Sequence, residues 1–81
     1  MKIKILLFAH LREISGSDEI KMELESGSVG EDVFIKLEEL YPEIAHHRTY
    51  LKLSMNGEYI KNETEIIDNA EIAVFPPVSG G

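Results

Sequence analysis

The last seven residues, Phe75 to Gly81 (FPPVSGG), combine residue types that suit chemistry at a backbone terminus. Pro76 and Pro77 lack a backbone N–H and fix φ at about −65°, so they end a strand and direct the chain outward. Gly80 and Gly81 have no side chain, so their backbone can pass through a channel too narrow for larger residues. The segment therefore predicts a thin stalk that presents a carboxyl group to a partner.

The carboxyl group of Gly81 is the candidate reactive centre. Chain-terminal carboxylates are anionic at neutral pH, because such groups titrate at about pH 3.5. A carboxylate is a poor electrophile, but it can attack the α-phosphorus of ATP to form an acyl-adenylate with a good leaving group. The carbonyl carbon of Gly81 would then accept sulfur or an amine. The alternative is a frayed terminus, as is common at chain ends, but the PPVSGG segment is uncharged and not arbitrary in composition.

Side chains elsewhere offer little for catalysis. The sequence has no cysteine, which excludes disulfides, thiolate nucleophiles and cysteine-ligated zinc. His46 and His47 are adjacent and face different ways on a helix or a strand, whereas metal sites favour spacings such as i and i+4. We therefore predict two exposed loop histidines, no metal site and no cofactor bound by the domain itself. Whether the chain counts as an enzyme stays open.

Composition limits the classes of partner. The chain has 81 residues, which suits one domain with little room for an enclosed pocket. It has 15 acidic and 8 basic residues and a net charge of −7, which argues against nucleic acid, because phosphate binding requires Lys and Arg. The acidic residues spread from Glu13 to Glu71 and indicate either a solvated surface or an acidic face that meets a basic partner.

The N-terminal segment MKIKILLFAHL resembles a signal peptide only superficially. It contains His10 and Arg12 and lacks a small-residue cleavage site, so we predict a strand. No stretch approaches the roughly 18 apolar residues of a membrane-spanning helix. We therefore predict a cytoplasmic protein that has no membrane partner.

Alternating apolar residues predict the strands that must support the tail. Met1–Ala9 and Glu19–Leu24 are typical of an antiparallel pair, and Glu71–Phe75 of a last strand. One face of the first strand consists of Met1, Ile3, Ile5, Leu7 and Ala9. Its other face ends in Leu6 and Phe8, which either a local loop or a partner would cover.

Turn residues predict two connections. Leu11–Ile14 fits a short helical turn before the turn cluster Ser15–Asp18. Asn56-Gly57 predicts a type I′ hairpin turn between Tyr50–Met55 and Glu58–Lys61, because both central residues of that turn need positive φ.

A helical period follows the second strand. Ser28 and Glu31 have the spacing of a capping box, and Pro42 is expected to end the helix. The apolar stripe consists of Val29, Val33, Phe34, Leu37, Leu40 and Tyr41. Glu43–Arg48 shows no clear period.

These elements predict an α+β fold of the β-grasp, ubiquitin-like type. A mixed sheet of four or five strands would carry one main helix on one face, with the first and last strands paired in parallel. The domain would span residues 1–75, and residues 76–81 would form a flexible, extended tail. That tail would leave one edge of the sheet beside Phe8.

Three segments carry a resemblance to a known family: LLFAHLREISG (Leu6–Gly16), SMNGEYI (Ser54–Ile60) and DNAEIAVFPPVSGG (Asp68–Gly81). The chain resembles the small, sulfur-carrying subunits of molybdopterin synthase, also called molybdopterin converting factor subunit 1. The resemblance covers essentially the whole chain. Members often have two aromatic residues before the prolines, whereas this sequence has Val74 and Phe75, a departure that affects packing more than chemistry.

The resemblance implies a sulfur-transfer cycle. A ubiquitin-activating-like adenylyltransferase would use ATP to adenylate Gly81, and a persulfide donor would convert the adenylate to a thiocarboxylate. The tail would then enter the large catalytic subunit of molybdopterin synthase, expected as a heterotetramer. There it would give sulfur to a cyclic pyranopterin precursor in molybdenum cofactor biosynthesis.

The resemblance also implies which residues meet these partners. The reactive end would be Gly81 with Gly80, and the partner-binding residues would be Phe8, Arg12, Phe75, Pro76, Pro77 and Val78. Arg12 has a structural alternative, a surface ion pair with Glu13 or another carboxylate.

Other functions remain open. The chain could carry sulfur for another pathway, such as thiamine or tungsten cofactor synthesis. It could also be a ubiquitin-like modifier that forms isopeptide bonds with lysines, since the same adenylate serves both chemistries. A plain acidic binding module would instead tolerate loss of Gly81.

Overall fold

The computed structural model describes residues 1–77, and the last four residues lie outside this description. In chain order the elements are β1 (Lys2–Leu7), α1 (His10–Ser15), β2 (Glu19–Glu23), α2 (Gly30–Leu40), a 3-10 helix (Pro42–Tyr50), β3 (Lys52–Met55), β4 (Glu58–Ile60) and β5 (Glu71–Phe75).

The five strands form one mixed sheet in the order β2-β1-β5-β3-β4. β1 and β5 pair in parallel, with Leu6 opposite Ala73, and the other neighbours pair antiparallel. This confirms the predicted β-grasp fold and its parallel central pair. The expectation that the chain's end leaves from an edge of the sheet needs correction, because β5 is the middle strand and is paired on both sides.

The core lies between the sheet and α2. Alternate residues of the strands pack with one stripe of the helix in a single apolar cluster, whose most buried members include Ile5, Leu7, Ile72, Val74, Val33, Phe34 and Leu37. Burial of a side chain of this size contributes about 1.5–3 kcal/mol. The period-two and helical patterns of the sequence are thus satisfied by one helix across one face.

The start of α2 differs from the predicted Ser28–Glu31 capping box. The helix begins at Gly30, and the backbone N–H of Val29 donates to the Asp32 carboxylate at 2.8 Å. A carboxylate at this position accepts that hydrogen bond and interacts favourably with the positive end of the helix dipole.

Backbone carbonyls from a distant loop replace the serine hydroxyl. The N–H of Gly30 donates to the carbonyl of Thr64 at 3.0 Å, and that of Glu31 to Asn62 at 2.8 Å. This approach is so close that a Cβ on Gly30 would lie 2.8 Å from the Lys61 carbonyl oxygen. Glycine is therefore required at the start of α2, because the loop occupies the space of a side chain.

The predicted helical stripe is interrupted near its end, although Tyr41, its last residue, still packs against the core. Leu40 is 51% exposed, although the period places it with the buried residues. The helix stops there, and the chain enters a 3-10 helix that the sequence pattern did not reveal. Ile44 is the buried residue of that segment, and one anchor is too few to establish a period.

The end of β1 also differs from its predicted extent. The strand stops at Leu7, and Ala9 is exposed with φ of 53° instead of lying on the buried face. The N–H of Leu11 donates to the Phe8 carbonyl, so the chain turns directly into α1. This turn sets the position of Phe8 at the end of the sheet.

The hairpin prediction is confirmed. Asn56 has φ of 51° and Gly57 of 89°, the two positive values of a type I′ turn. In residues 1–77, no helix has the length and apolar character needed to cross a bilayer. A cytoplasmic location stays a prediction.

Candidate functional site at the root of the tail

The tail is anchored by the middle strand of the sheet. Phe75 ends β5 and lies opposite Lys52 of β3, while β1 pairs along the other side of β5. Pro76 is half-buried and Pro77 exposed. Pairing with β3 thus reaches the residue before the prolines, whereas pairing with β1 ends one residue earlier, at Val74. The positions predicted for Val78, Gly80 and Gly81 lie outside the described residues.

The outer face of the sheet, defined here as the face opposite α2, carries a mainly apolar row that no helix of residues 1–77 covers. Leu6 lies opposite Ala73, Ala73 opposite Ser54, and Ser54 opposite Tyr59, so the row crosses four strands. Leu6 and Ala73 are half-buried, whereas Tyr59 is 73% exposed. Phe75 packs edge-on against Tyr59, with ring centroids 5.7 Å apart. Sequence reasoning missed Tyr59, because only strand register reveals its position beside Phe75.

Phe8 lies beyond the end of β1 and is 45% exposed. Within residues 1–77, no local loop fully covers the Phe8 side chain, which leaves a partner as the other predicted cover. An exposed phenylalanine costs hydration free energy that a partner can recover by burying it.

Arg12 is exposed on α1. Its structural alternative, an ion pair with Glu13, is not formed, because the Glu13 carboxylate instead contacts Nδ1 of His10 at 3.0 Å. Among the residues that the structure describes, no carboxylate lies within ion-pair distance of the Arg12 guanidinium. Arg12 is therefore available to a partner's acidic group.

Charge is distributed unevenly between the two sides of the molecule. By strand alternation, the outer face carries Lys2, Lys4, Lys21, Lys52, Glu19, Glu23 and Glu71. The helix α2 carries Glu31, Asp32, Lys36, Glu38 and Glu39. The acidic excess of the chain thus includes the helix side, and the outer face is close to neutral. An acidic docking face does not describe the surface around the tail.

The structure brings together three further residues that the sequence treats as separate. His10, Glu43 and His47 each place one possible ligand atom within 4.8 Å of the others. His47 is half-buried in the 3-10 helix, which corrects the prediction of an exposed loop residue, whereas His46 is exposed. Linear spacing could not reveal this cluster, because α1 and the 3-10 helix meet only in the folded chain.

A family model described as "ThiS family" matches residues 5–81. A molybdopterin synthase sulfur carrier subunit from Dictyostelium discoideum is 40% identical over 83 aligned positions, which cover 99% of this chain and 96% of that protein.

Two solved structures share the fold. Small archaeal modifier protein 1 from Methanosarcina acetivorans is 31% identical, with a TM-score of 0.81 and coverage of 99% of this chain and 96% of that one. A chain in the complex of subunits 1 and 2 of molybdopterin-converting factor from Helicobacter pylori has a TM-score of 0.73 at 17% identity, with 100% of both chains covered. The resemblance found in the sequence is confirmed: the chain belongs to the ThiS family and to the family of molybdopterin synthase sulfur carrier subunits.

Proposed function

We propose that this chain is the sulfur-carrying subunit of a molybdopterin synthase and that Gly81 carries the sulfur. The observation that carries the proposal is the full-length match to a molybdopterin synthase sulfur carrier subunit. The geometry supports it, because the middle strand leads into the prolines beside this mainly apolar row. Fold and partner recognition thus lie in the domain, and the chemistry lies at the tail.

The proposed cycle consists of adenylation, sulfur loading and sulfur transfer. A carboxylate oxygen of Gly81 attacks the α-phosphorus of ATP on an adenylyltransferase, and pyrophosphate leaves. The terminal sulfur of a persulfide attacks the acyl-adenylate and AMP leaves, after which a thiol cleaves the S–S bond to release the thiocarboxylate. On the large subunit, this sulfur attacks a carbon of the pyranopterin precursor and displaces an oxygen substituent from that carbon, and water then cleaves the acyl–sulfur bond to restore the Gly81 carboxylate. Two such transfers supply the two sulfurs of the dithiolene. The domain itself needs no bound cofactor.

The proposed docking surface comprises Phe75 on the outer face, Phe8 just beyond the end of β1 and Arg12 on α1. Phe8 and Phe75 would fill apolar pockets of the large subunit, and Arg12 would pair with an acidic group there. Pro76, Pro77 and Val78 would guide the tail into the partner's active site. Aromatic residues and arginine are the types enriched in the centres of protein interfaces. In the Helicobacter pylori complex, subunits 1 and 2 of molybdopterin-converting factor are assembled together, which is the kind of partnership proposed here.

Reconstitution tests the proposal. Thiocarboxylated protein is mixed with the large subunit and the pyranopterin precursor, and dithiolene formation is followed. We expect turnover with the native terminus. A variant with one residue added after Gly81 should fold identically and give none, because its carboxylate lies one residue too far along the tail. Equal turnover by the extended variant would contradict the proposal.

A second candidate is protein modification, favoured by the similarity to small archaeal modifier protein 1. The acyl-adenylate would then react with a lysine amine instead of sulfur. Mass spectrometry of the protein from its host separates the two: a carrier shows exchange of one oxygen for sulfur, and a modifier shows a ladder of conjugates. A carrier for thiamine synthesis would show the same exchange but fail in the reconstitution.

A further inference from the structure

We propose that His10, Glu43 and His47 form a binding site for one Zn²⁺ ion beside the root of the tail. The inference is independent of the sulfur-carrier function. It rests on the distances within the cluster, on the contacts that orient both imidazoles, and on the way the fold holds the three residues together.

The distances suit a metal that draws its ligands together. One ligand atom from each of the three side chains lies within 4.8 Å of the other two. Tetrahedral zinc with bonds of about 2.0–2.1 Å places its ligand atoms roughly 3.3 Å apart. The ligand atoms therefore need to approach by at most about 1.5 Å, which His10 and Glu43, both exposed, can achieve by side-chain rotation.

Each imidazole is oriented by a contact at Nδ1. Nδ1 of His10 lies 3.0 Å from the Glu13 carboxylate, and Nδ1 of His47 contacts the Tyr50 hydroxyl. Metal-binding histidines usually donate one ring N–H to such a partner, which leaves the lone pair of the other nitrogen for the metal. Here Nε2 of each ring would bind the ion. The two rings are already neighbours, with centroids 5.0 Å apart.

Buried anchors hold the two elements that supply the ligands. His10 precedes Leu11, which is 2% exposed, and Glu43 precedes Ile44, which is 0% exposed. Both anchors belong to the same apolar core. The backbone is therefore fixed before any ion arrives, which lowers the entropy cost of forming the site.

The donor set selects the class of metal. Two imidazoles and a carboxylate suit zinc, whereas Mg²⁺ and Ca²⁺ prefer oxygen ligands throughout. Three protein ligands leave a fourth zinc position for water or an incoming group. Two of the proposed ligands, His10 and His47, line a small cleft together with Leu11, Tyr50, Leu51 and Pro76. The ion would thus lie beside Pro76, the first residue after β5.

Zinc titration of the tag-free chain tests the site. We expect one Zn²⁺ per chain by calorimetry and by elemental analysis after dialysis. Glutamine at each ligand (His10→Gln, Glu43→Gln or His47→Gln) should weaken binding about tenfold or more, since changes of supporting residues alone cost 10- to 100-fold. His46→Gln is the matched control, because this exposed neighbour should leave the affinity unchanged.

A second measurement keeps the test independent of folding. Co²⁺ bound in place of zinc should give the intense visible absorption of a tetrahedral site in the native chain and in His46→Gln, and lose it in His10→Gln. Circular dichroism without metal should be the same for all three proteins, because both substituted side chains are exposed. Absence of stoichiometric zinc binding, or equal losses in His46→Gln and His10→Gln, would overturn the proposal. Neither readout depends on sulfur transfer.

Discussion

The two faces of the sheet are built from the same strands but differ in how far their side chains are buried. On the inner face, Ile5, Ile72 and Val74 are 0% exposed beneath α2. On the outer face, the alternate residues Leu6 and Ala73 are only half-buried, and the row ends in the exposed Tyr59. Apolar residues on both faces cannot all serve the fold, since only one face has a cover within residues 1–77. The difference separates side chains that stabilise the domain from those available to a partner.

Truncating adjacent residues on opposite faces of β1 should give the largest difference in stability. Ile5→Ala should lower the free energy of unfolding by about 2–5 kcal/mol, because it removes a fully buried side chain and leaves a cavity. Leu6→Ala should cost less than about 1 kcal/mol. Urea denaturation of both variants measures the difference. Similar losses would show that the outer face is also core.

Phe8→Ala tests whether the proposed docking surface binds. Loss of this exposed ring should weaken association with the large synthase subunit by about 2 kcal/mol, roughly 30-fold, as expected for an interface anchor. The free energy of unfolding should fall by less than that. Binding is measured by calorimetry and stability by denaturation of the isolated chain. A loss of stability equal to or larger than the loss of affinity would mark Phe8 as a core residue.

The Tyr59–Phe75 pair tests whether outer-face side chains stabilise the free domain. An edge-to-face aromatic pair contributes about 0.5–1.5 kcal/mol beyond its buried area. A double-mutant cycle of Tyr59→Ala and Phe75→Ala should therefore give a coupling energy of unfolding in that range. Additive effects would mean that the rings do not stabilise each other in the free domain and that their role lies in binding alone.

The smallest effect is expected from the Lys4–Glu71 ion pair on the same face. The two groups are 3.8 Å apart, and their side chains are 44% and 51% exposed. Solvent screening of such a pair limits its contribution to at most about 0.5 kcal/mol. Lys4→Gln should shift the denaturation midpoint slightly at low salt and have no effect at high salt. A large, salt-independent shift would assign Lys4 a packing role.

Several elements were predictable because their causes are local. The type I′ turn at Asn56-Gly57 follows from the φ preferences of two adjacent residues, and β5 follows from alternation within five residues. The start of α2 could not be predicted in the same way, because the carbonyls of Asn62 and Thr64 accept from its first N–H groups from a distant part of the chain. The spacing of Ser28 and Glu31 carries no information about these distant acceptors.

The candidate site was also predictable only in part. Family membership and the tail segment can be predicted from the sequence, since they depend on residue identity along the chain. The neighbours of Phe75 cannot be predicted in this way, because Tyr59 comes beside it only through the pairing of three strands. The partner-binding roles of Phe8, Arg12 and Phe75 stay predictions, as do those of the residues beyond Pro77.

By itself the sequence determined the strand and helix types, the parallel pairing of the first and last strands and the family. The element types depend on side-chain period and on turn residues, which act within a few positions; the pairing was inferred from two of the most apolar runs, and the family from residue identity. Only the tertiary structure decided that β5 lies in the middle of the sheet, that Gly30 must be glycine, and that His10 meets Glu43 and His47. Such contacts depend on how separate elements pack, and packing is a property of the whole core.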